Sequence, residues 1–171
     1  MVSVAVAEGV EVTFNPEDIQ FVILGSGEWE FETFFYEMSK KYPDKVAFKL
    51  GFIPDLARKI YSGADIFLMP SKSEPCGLAQ MIALRYGTIP IVRRTGGLAD
   101  TITDVCAPDG NGFVFNNYNA HEMLDAVWRA IGMYTVDKEG WNALSQKALA
   151  IDNSWNVSAG EYIKLYKEMV S

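Results

Sequence analysis

The sequence predicts an α/β domain built on a doubly wound parallel sheet with helices on both faces. Three observations lead there. Short runs rich in β-branched residues alternate along the chain with stretches of helical periodicity. Those runs are near-continuously apolar rather than alternating, as strands covered on both faces should be. Glycine-bearing loops follow the runs, where an open parallel sheet binds its ligands.

Taken in order, residues 2–7 read as a strand, although Val10, Val12 and Phe14 also alternate. The first clear strand is 20–25. Helix 30–41 places Phe31, Phe34, Phe35 and Met38 on one face. Strand 45–50 follows, then helix 54–62, whose opening Pro54 suits a first helical turn. Strand 66–69 leads to helix 77–86, short and apolar and so expected to be buried. Strands 89–92 and 112–115 complete the predicted sheet. Helix 120–134 carries Met123, Leu124, Val127, Trp128 and Ile131 at helical spacing. Two more helices, 138–151 and 154–170, close the chain, the second with Ser154 at its N-cap. No linker, low-complexity tract or repeat interrupts the pattern, so residues 1–171 read as a single domain.

Composition narrows the function classes. With 49% apolar and 13% aromatic residues, the 171-residue chain is globular and large enough for a proper core. Fifteen basic residues against 22 acidic give a net charge of −7, a field that repels polyanions such as nucleic acid and anionic membranes. A local anion site built from backbone amides is still compatible with that balance. Cys76 and Cys106 are too few for a disulfide framework and lack metal-ligand spacing, and the lone histidine, His121, cannot form a histidine-pair metal site. The opening residues lack the basic and apolar regions of a secretory signal, and no run is long enough to span a bilayer. A reducing cytoplasm is therefore the expected compartment.

The loops after the predicted strands carry the chemistry. Gly25-Ser26-Gly27 follows the first and Gly51-Phe52 the second. The third is followed by a loop from Pro70 to Leu78, and the fourth by Arg93-Arg94-Thr95-Gly96-Gly97. Gly77 and Gly96-Gly97 sit at or just before helix starts, where a missing Cβ lets backbone approach a ligand and exposed amides suit phosphate oxygens. Either loop alone is what any α/β domain needs. Two on one sheet edge, one with Glu74 and one with Arg93-Arg94, point to a phosphorylated ligand. Gly25-Ser26-Gly27 by itself lacks the full dinucleotide fingerprint.

The stretch from Ala64 through Met69-Pro70-Ser71-Lys72-Ser73-Glu74-Pro75-Cys76-Gly77-Leu78 resembles the signature of the bacterial glycogen and plant starch synthases, family 5 of the glycosyltransferases. Arg85 to Thr101 resembles that family's next block, and Gly112 to Phe115 and Ser154-Trp155 fit as well. The resemblance spans roughly residues 19–170 in order and spacing.

It implies the C-terminal, Rossmann-like half of a GT-B glycosyltransferase, the half that holds the sugar nucleotide, with the N-terminal acceptor domain absent from this sequence. The implied reaction transfers glucose from ADP-glucose, with retention of configuration, to an α-1,4-glucan. No cofactor or metal is implied, and the compartment would be a plastid in a plant or alga. Glu74 matches the glutamate beside the donor sugar and is the catalytic candidate; its bland reading is a helix-start acid. Ser71, Cys76, Gly77 and Leu78 match the sugar and diphosphate loop, Gly25, Ser26 and Gly27 the nucleoside loop, and Thr95, Gly96 and Gly97 the other wall of the cleft. Phe52 stands where the family commonly has a tyrosine against adenine, and reads equally as core. A reactive thiol at Cys76 lacks a nearby histidine to activate it.

The departures are as informative. Val4 and Glu8 stand where the family pattern has an arginine and a lysine to stabilise the departing diphosphate. The segment up to Asn15 is too short for the family's first helix, Ala79 replaces a residue often threonine or asparagine, and Ile82 replaces a second glutamate of the broader superfamily. The isolated chain is therefore expected to be silent or nearly so, with glucan engaged only in company with the acceptor half. A noncatalytic nucleotide- or glucan-binding relic is the alternative. The last helix reads two ways: packed on its own sheet, or presenting Trp155, Tyr162, Leu165 and Tyr166 as an apolar face that invites self-association.

Overall fold

The computed structural model describes the backbone of residues 2–6 and the full structure of residues 19–170. Among these, six strands form one sheet: β1 (Val2–Val6), β2 (Ile19–Gly25), β3 (Val46–Leu50), β4 (Ile66–Met69), β5 (Ile89–Arg93) and β6 (Phe113–Phe115). Their order is β3-β2-β1-β4-β5-β6, and each pairing is parallel. The sheet grows from β1 through β2 to β3, then crosses to β4 and grows the other way. The switch point lies between β1 and β4, and its crevice opens at the strands' carboxyl ends.

The helices are α1 (Trp29–Lys41), α2 (Pro54–Gly63), α3 (Ala79–Arg85), α4 (Gly96–Thr101), α5 (Ala120–Val136), α6 (Lys138–Ala150) and α7 (Trp155–Val170). The predicted fold class and strands are present. For α4 the sequence pointed only to a helix start at Gly96-Gly97 and to no range, since its six residues are too few to display a helical period. The alternating Val10, Val12 and Phe14, the cation position Glu8 and the side chain of Val4 lie outside the described residues.

The core is centred on β4, β5 and β6, each buried along its length apart from Arg93. Ile66, Leu68, Ile89, Ile91, Leu98, Phe113 and Val127 are all but inaccessible to solvent. Coverage on both faces fails at β3, which corrects the expectation for that strand: it is a sheet edge, and Lys49 and Leu50 are exposed. A charge on an unpaired edge discourages strand addition. Helix α3 also departs from expectation. It buries Gln80, Ala83 and Leu84 but leaves Ile82 exposed, and Leu78 before it is exposed too.

Of the two readings of the last helix, packing on its own sheet is overturned. No residue of α7 is buried, and Trp155 is 85% exposed, with Tyr162, Leu165 and Tyr166 also open to solvent. Ser154 does stand at its start, its carbonyl accepting from the amides of Val157 and Ser158.

Candidate functional site

Strand β4 ends at Met69 and buried Pro70, and the chain then runs across the sheet rim to α3. Strand β5 ends at Arg93 and turns into α4 through Thr95, Gly96 and Gly97. The two glycine-led turns lie against each other. The Gly97 amide donates to the Glu74 carbonyl at 3.1 Å. A Cβ on Gly97 would stand 1.9 Å from the Cys76 carbonyl oxygen, and one on Gly96 would stand 2.0 Å from that of Glu74. Glycine is needed there so that one main chain can lie directly on another.

That contact brings Glu74, Cys76, Gly77, Leu78, Thr95, Gly96 and Gly97 to one rim, as expected. The Gly97 amide itself is engaged by the Glu74 carbonyl. The amides of Cys76, Gly77 and Leu78 donate to no described residue, nor does the half-buried Glu74 carboxylate accept from one or form an ion pair. Leu78 turns its side chain into a separate groove along α3 and residues 150–154, so only its main chain belongs to the rim. The exposed Cys76 thiol makes one long contact, 3.9 Å to the Gly77 carbonyl.

The two arginines are placed differently from the sequence reading. Arg93 donates from Nε to the Ser71 carbonyl at 2.9 Å and from Nη2 to that of Lys72, and lies over the Tyr118 ring. Arg94 donates from Nε to Asn116 Oδ1 at 3.1 Å. Both guanidinium groups therefore clamp loops. Held by the carbonyls of Ser71, Lys72 and Asn116 on its own scaffold, the Arg93 guanidinium braces the rim. The next loop is anchored from α5: Glu122 accepts from the amides of Asn116 and Asn117, and the Asn117 bonds above all hold its carboxyl down at about 2.

A second rim lies at the ends of β2 and β3. The Gly51 amide donates to the Gly25 carbonyl at 2.9 Å, which joins the two loops. Phe52 is 90% exposed, so the core reading of this ring is excluded. Beneath Gly25, Ser26 and Gly27 lies a cavity of about 240 Å³ walled by Ile23, Phe31, Phe35 and Phe48. Gly27 donates its amide to Glu32 Oε1 at 2.9 Å, and only exposed Ser26 presents an unengaged hydroxyl. β2 and β4 flank β1, so their ends stand about 10 Å apart, two inter-strand spacings. A ligand with an aromatic end and a phosphorylated end can reach both rims.

The sequence reading passed over Gln80 and Thr101, which lie under both glycine turns, and over Asp104, which receives Arg129 from α5 in a paired contact at 2.8 and 3.0 Å. Burial opposes ionisation of Asp104, but the Arg129 bonds and the Val114 and Cys106 amides outweigh it and hold the carboxyl well below the usual range. A glutamine inside a helix otherwise fit for burial was the one available signal for Gln80. The candidates for metal chemistry are absent as groups: among the described residues no three His, Cys, Asp or Glu side chains cluster to hold an ion. His121 is exposed at the start of α5.

A family model described as glycosyl transferases group 1 matches residues 11–138. The chain is 52% identical over 157 residues to a glycogen synthase of Anoxybacillus flavithermus, covering 91% of this chain and 32% of that protein. It is 54% identical over 156 residues to a glycogen synthase of Bacillus anthracis, covering 90% and 33%. The chain thus spans about a third of the length of the curated relatives it matches. Among solved structures, the catalytic domain of starch synthase IV from Arabidopsis thaliana, bound to ADP and acarbose, superposes with a TM-score of 0.79 at 38% identity, over 87% of this chain and 32% of that one.

Proposed function

The chain belongs to the group 1 glycosyl transferases, and from that premise we propose that it is the donor-binding domain of an ADP-glucose-dependent, retaining α-1,4-glucan synthase of the glycogen and starch type. The observation that carries this reading is the pair of glycine turns locked rim to rim beside the switch point, with the Glu74 carboxylate and the amides of Gly77 and Leu78 unengaged among the described residues. In the proposed complex the amides hold the diphosphate, Glu74 accepts hydrogen bonds from glucose hydroxyls, and Phe52 lies against the base above the Gly25–Gly27 loop. Ser71 and Thr95 border the same rim, and no cofactor takes part. The ADP in the Arabidopsis relative supports the choice of base.

Transfer itself belongs to the assembled enzyme. One rim open to solvent leaves its charges screened, and the opposing wall that would exclude water comes from elsewhere. The isolated chain therefore binds donor without turning it over, and glucan binds where the acceptor half is present. The open face of α7 is the surface through which the isolated chain self-associates, and the compartment is the cytoplasm or, in a plant or alga, the plastid.

Calorimetric titration with ADP, ADP-glucose, UDP-glucose and glucose tests the reading. Heats for ADP and ADP-glucose are expected, and Glu74→Ala should weaken ADP-glucose about tenfold or more, the worth of a hydrogen bond to a charged group. Heats indistinguishable from dilution for all four ligands refute it.

A further inference from the structure

Gln80 is 0% exposed at the base of α3. Its Nε2 donates to the Gly77 carbonyl at 2.8 Å, to the Thr101 hydroxyl at 3.1 Å and, at 3.4 Å, to the Cys76 carbonyl. The Thr101 hydroxyl gives its single proton to the Gly97 carbonyl at 2.7 Å, so toward Gln80 it can only accept. Three acceptors on one side of the amide fix its orientation: the nitrogen faces them, and the oxygen faces away. Oε1 finds no donor among the described residues. A buried acceptor without a donor is costly, so this side chain is not explained by packing alone.

What Nε2 accomplishes follows from peptide geometry. In a planar trans peptide the N–H points opposite to the carbonyl. With the Cys76 carbonyl turned inward onto Gln80, the Gly77 N–H is directed away from it. With the Gly77 carbonyl turned inward as well, the Leu78 N–H follows. Gly77 sits at φ +75° and Leu78 in the right-handed region. That alternation of hands makes successive N–H groups converge into an anion-binding concavity. A Cβ at position 77 would stand 2.6 Å from Gln80 Oε1, so the strut and the glycine require each other. Through Thr101 the same amide reaches the second glycine turn.

We infer that Gln80, braced by Thr101, is the positioning residue that aims the Gly77 and Leu78 amides at the diphosphate of the donor. The inference rests on the nucleotide reading above. Its test compares ADP with adenosine, measured by calorimetry and by NMR titration, on the full chain. Gln80→Met is neutral, of similar length and lacks the donor. ADP affinity is expected to fall about tenfold or more while adenosine affinity stays within about twofold, since only the diphosphate amides are released. Thr101→Val should weaken ADP about threefold or more with adenosine unchanged, and Thr101→Ser, which keeps the hydroxyl, should restore it. General loosening of the domain would weaken both ligands alike, and that result overturns the inference. Normal ADP binding in the unaltered chain and in Gln80→Met alike overturns it too, while leaving the nucleotide reading intact. Absence of ADP binding in the unaltered chain overturns the nucleotide reading and this inference together. Should Gln80→Met not fold, Thr101→Val decides: unchanged ADP affinity refutes the strut, a selective loss supports it.

Discussion

Gly97→Ala probes the contact on which the rim depends. A methyl at this position meets the Cys76 carbonyl oxygen at 1.9 Å and the carbonyl carbon at 2.6 Å, both main-chain atoms that no rotamer change can move. An ordinary carbon–oxygen contact needs about 3.5 Å, so α4 and the Cys76 turn must separate by roughly 1.5 Å. Overpacking of this kind costs about 1–3 kcal/mol. The Gly97 amide bond to Glu74 lengthens with it, losing about 1 kcal/mol more. Alanine recovers up to about 1 kcal/mol of helix propensity. The net expectation is a loss of about 1–4 kcal/mol, a thermal midpoint lower by about 2–16 °C for a chain of this size. Gly132→Ala is the control: it lies inside α5 with nothing within 4 Å of an added Cβ, and should stabilise by about 0.5–1 kcal/mol. Urea titration gives both values, and calorimetry should show ADP affinity lowered in Gly97→Ala only. A Gly97→Ala protein as stable as the parent, binding ADP equally well, would mean that the two turns do not touch.

Phe52→Ala removes a ring that buries almost nothing, so urea stability should stay within about 0.5 kcal/mol. ADP affinity should fall about threefold to tenfold as the stacking face is lost; a large stability loss would return Phe52 to the core. Asp104→Asn breaks the paired bond to Arg129 and should cost roughly 1–3 kcal/mol near neutral pH. The folded-state pKa of Asp104 lies below its unfolded value, so its contribution is complete above about pH 4 and falls away as acid protonates the folded carboxylate. The gap in stability between parent and Asp104→Asn should therefore narrow steadily as the pH falls from about 5 toward 2, and a gap that stays constant over that range contradicts the ion pair. Removing residues 155–171 should leave the unfolding midpoint unchanged, because α7 buries no residue. The same truncation should abolish concentration-dependent association in sedimentation velocity, and association that persists without α7 moves the contact elsewhere.

The strands were legible because residues such as Ile66-Phe67-Leu68-Met69 and Ile89-Pro90-Ile91-Val92 are apolar throughout, and burial on both faces leaves no other pattern. The glycine positions were legible as well, since a turn that brings backbone against backbone admits little else. Their partners were not. Arg93 in the sequence is a cation beside a glycine turn that points to a phosphorylated ligand; in the fold it meets the Ser71 carbonyl from 22 residues away and becomes a clamp. Exposure was equally illegible for isolated rings: Phe52 and Trp155 have the composition of core residues, and only the surrounding chain leaves them in solvent.

By itself, then, the order of residues determined which segments become strands, which loops leave their carboxyl ends, and which of those loops carry glycine. Periodicity and backbone freedom are properties of a chain's immediate neighbours. Tertiary structure alone decided that β1 stands between β2 and β4, that the Glu74 and Gly97 turns interlock, and that Gln80 lies beneath both. Each of those facts depends on where distant peptides come to rest. A hydrogen bond between groups twenty residues apart leaves no local trace in the sequence that forms it.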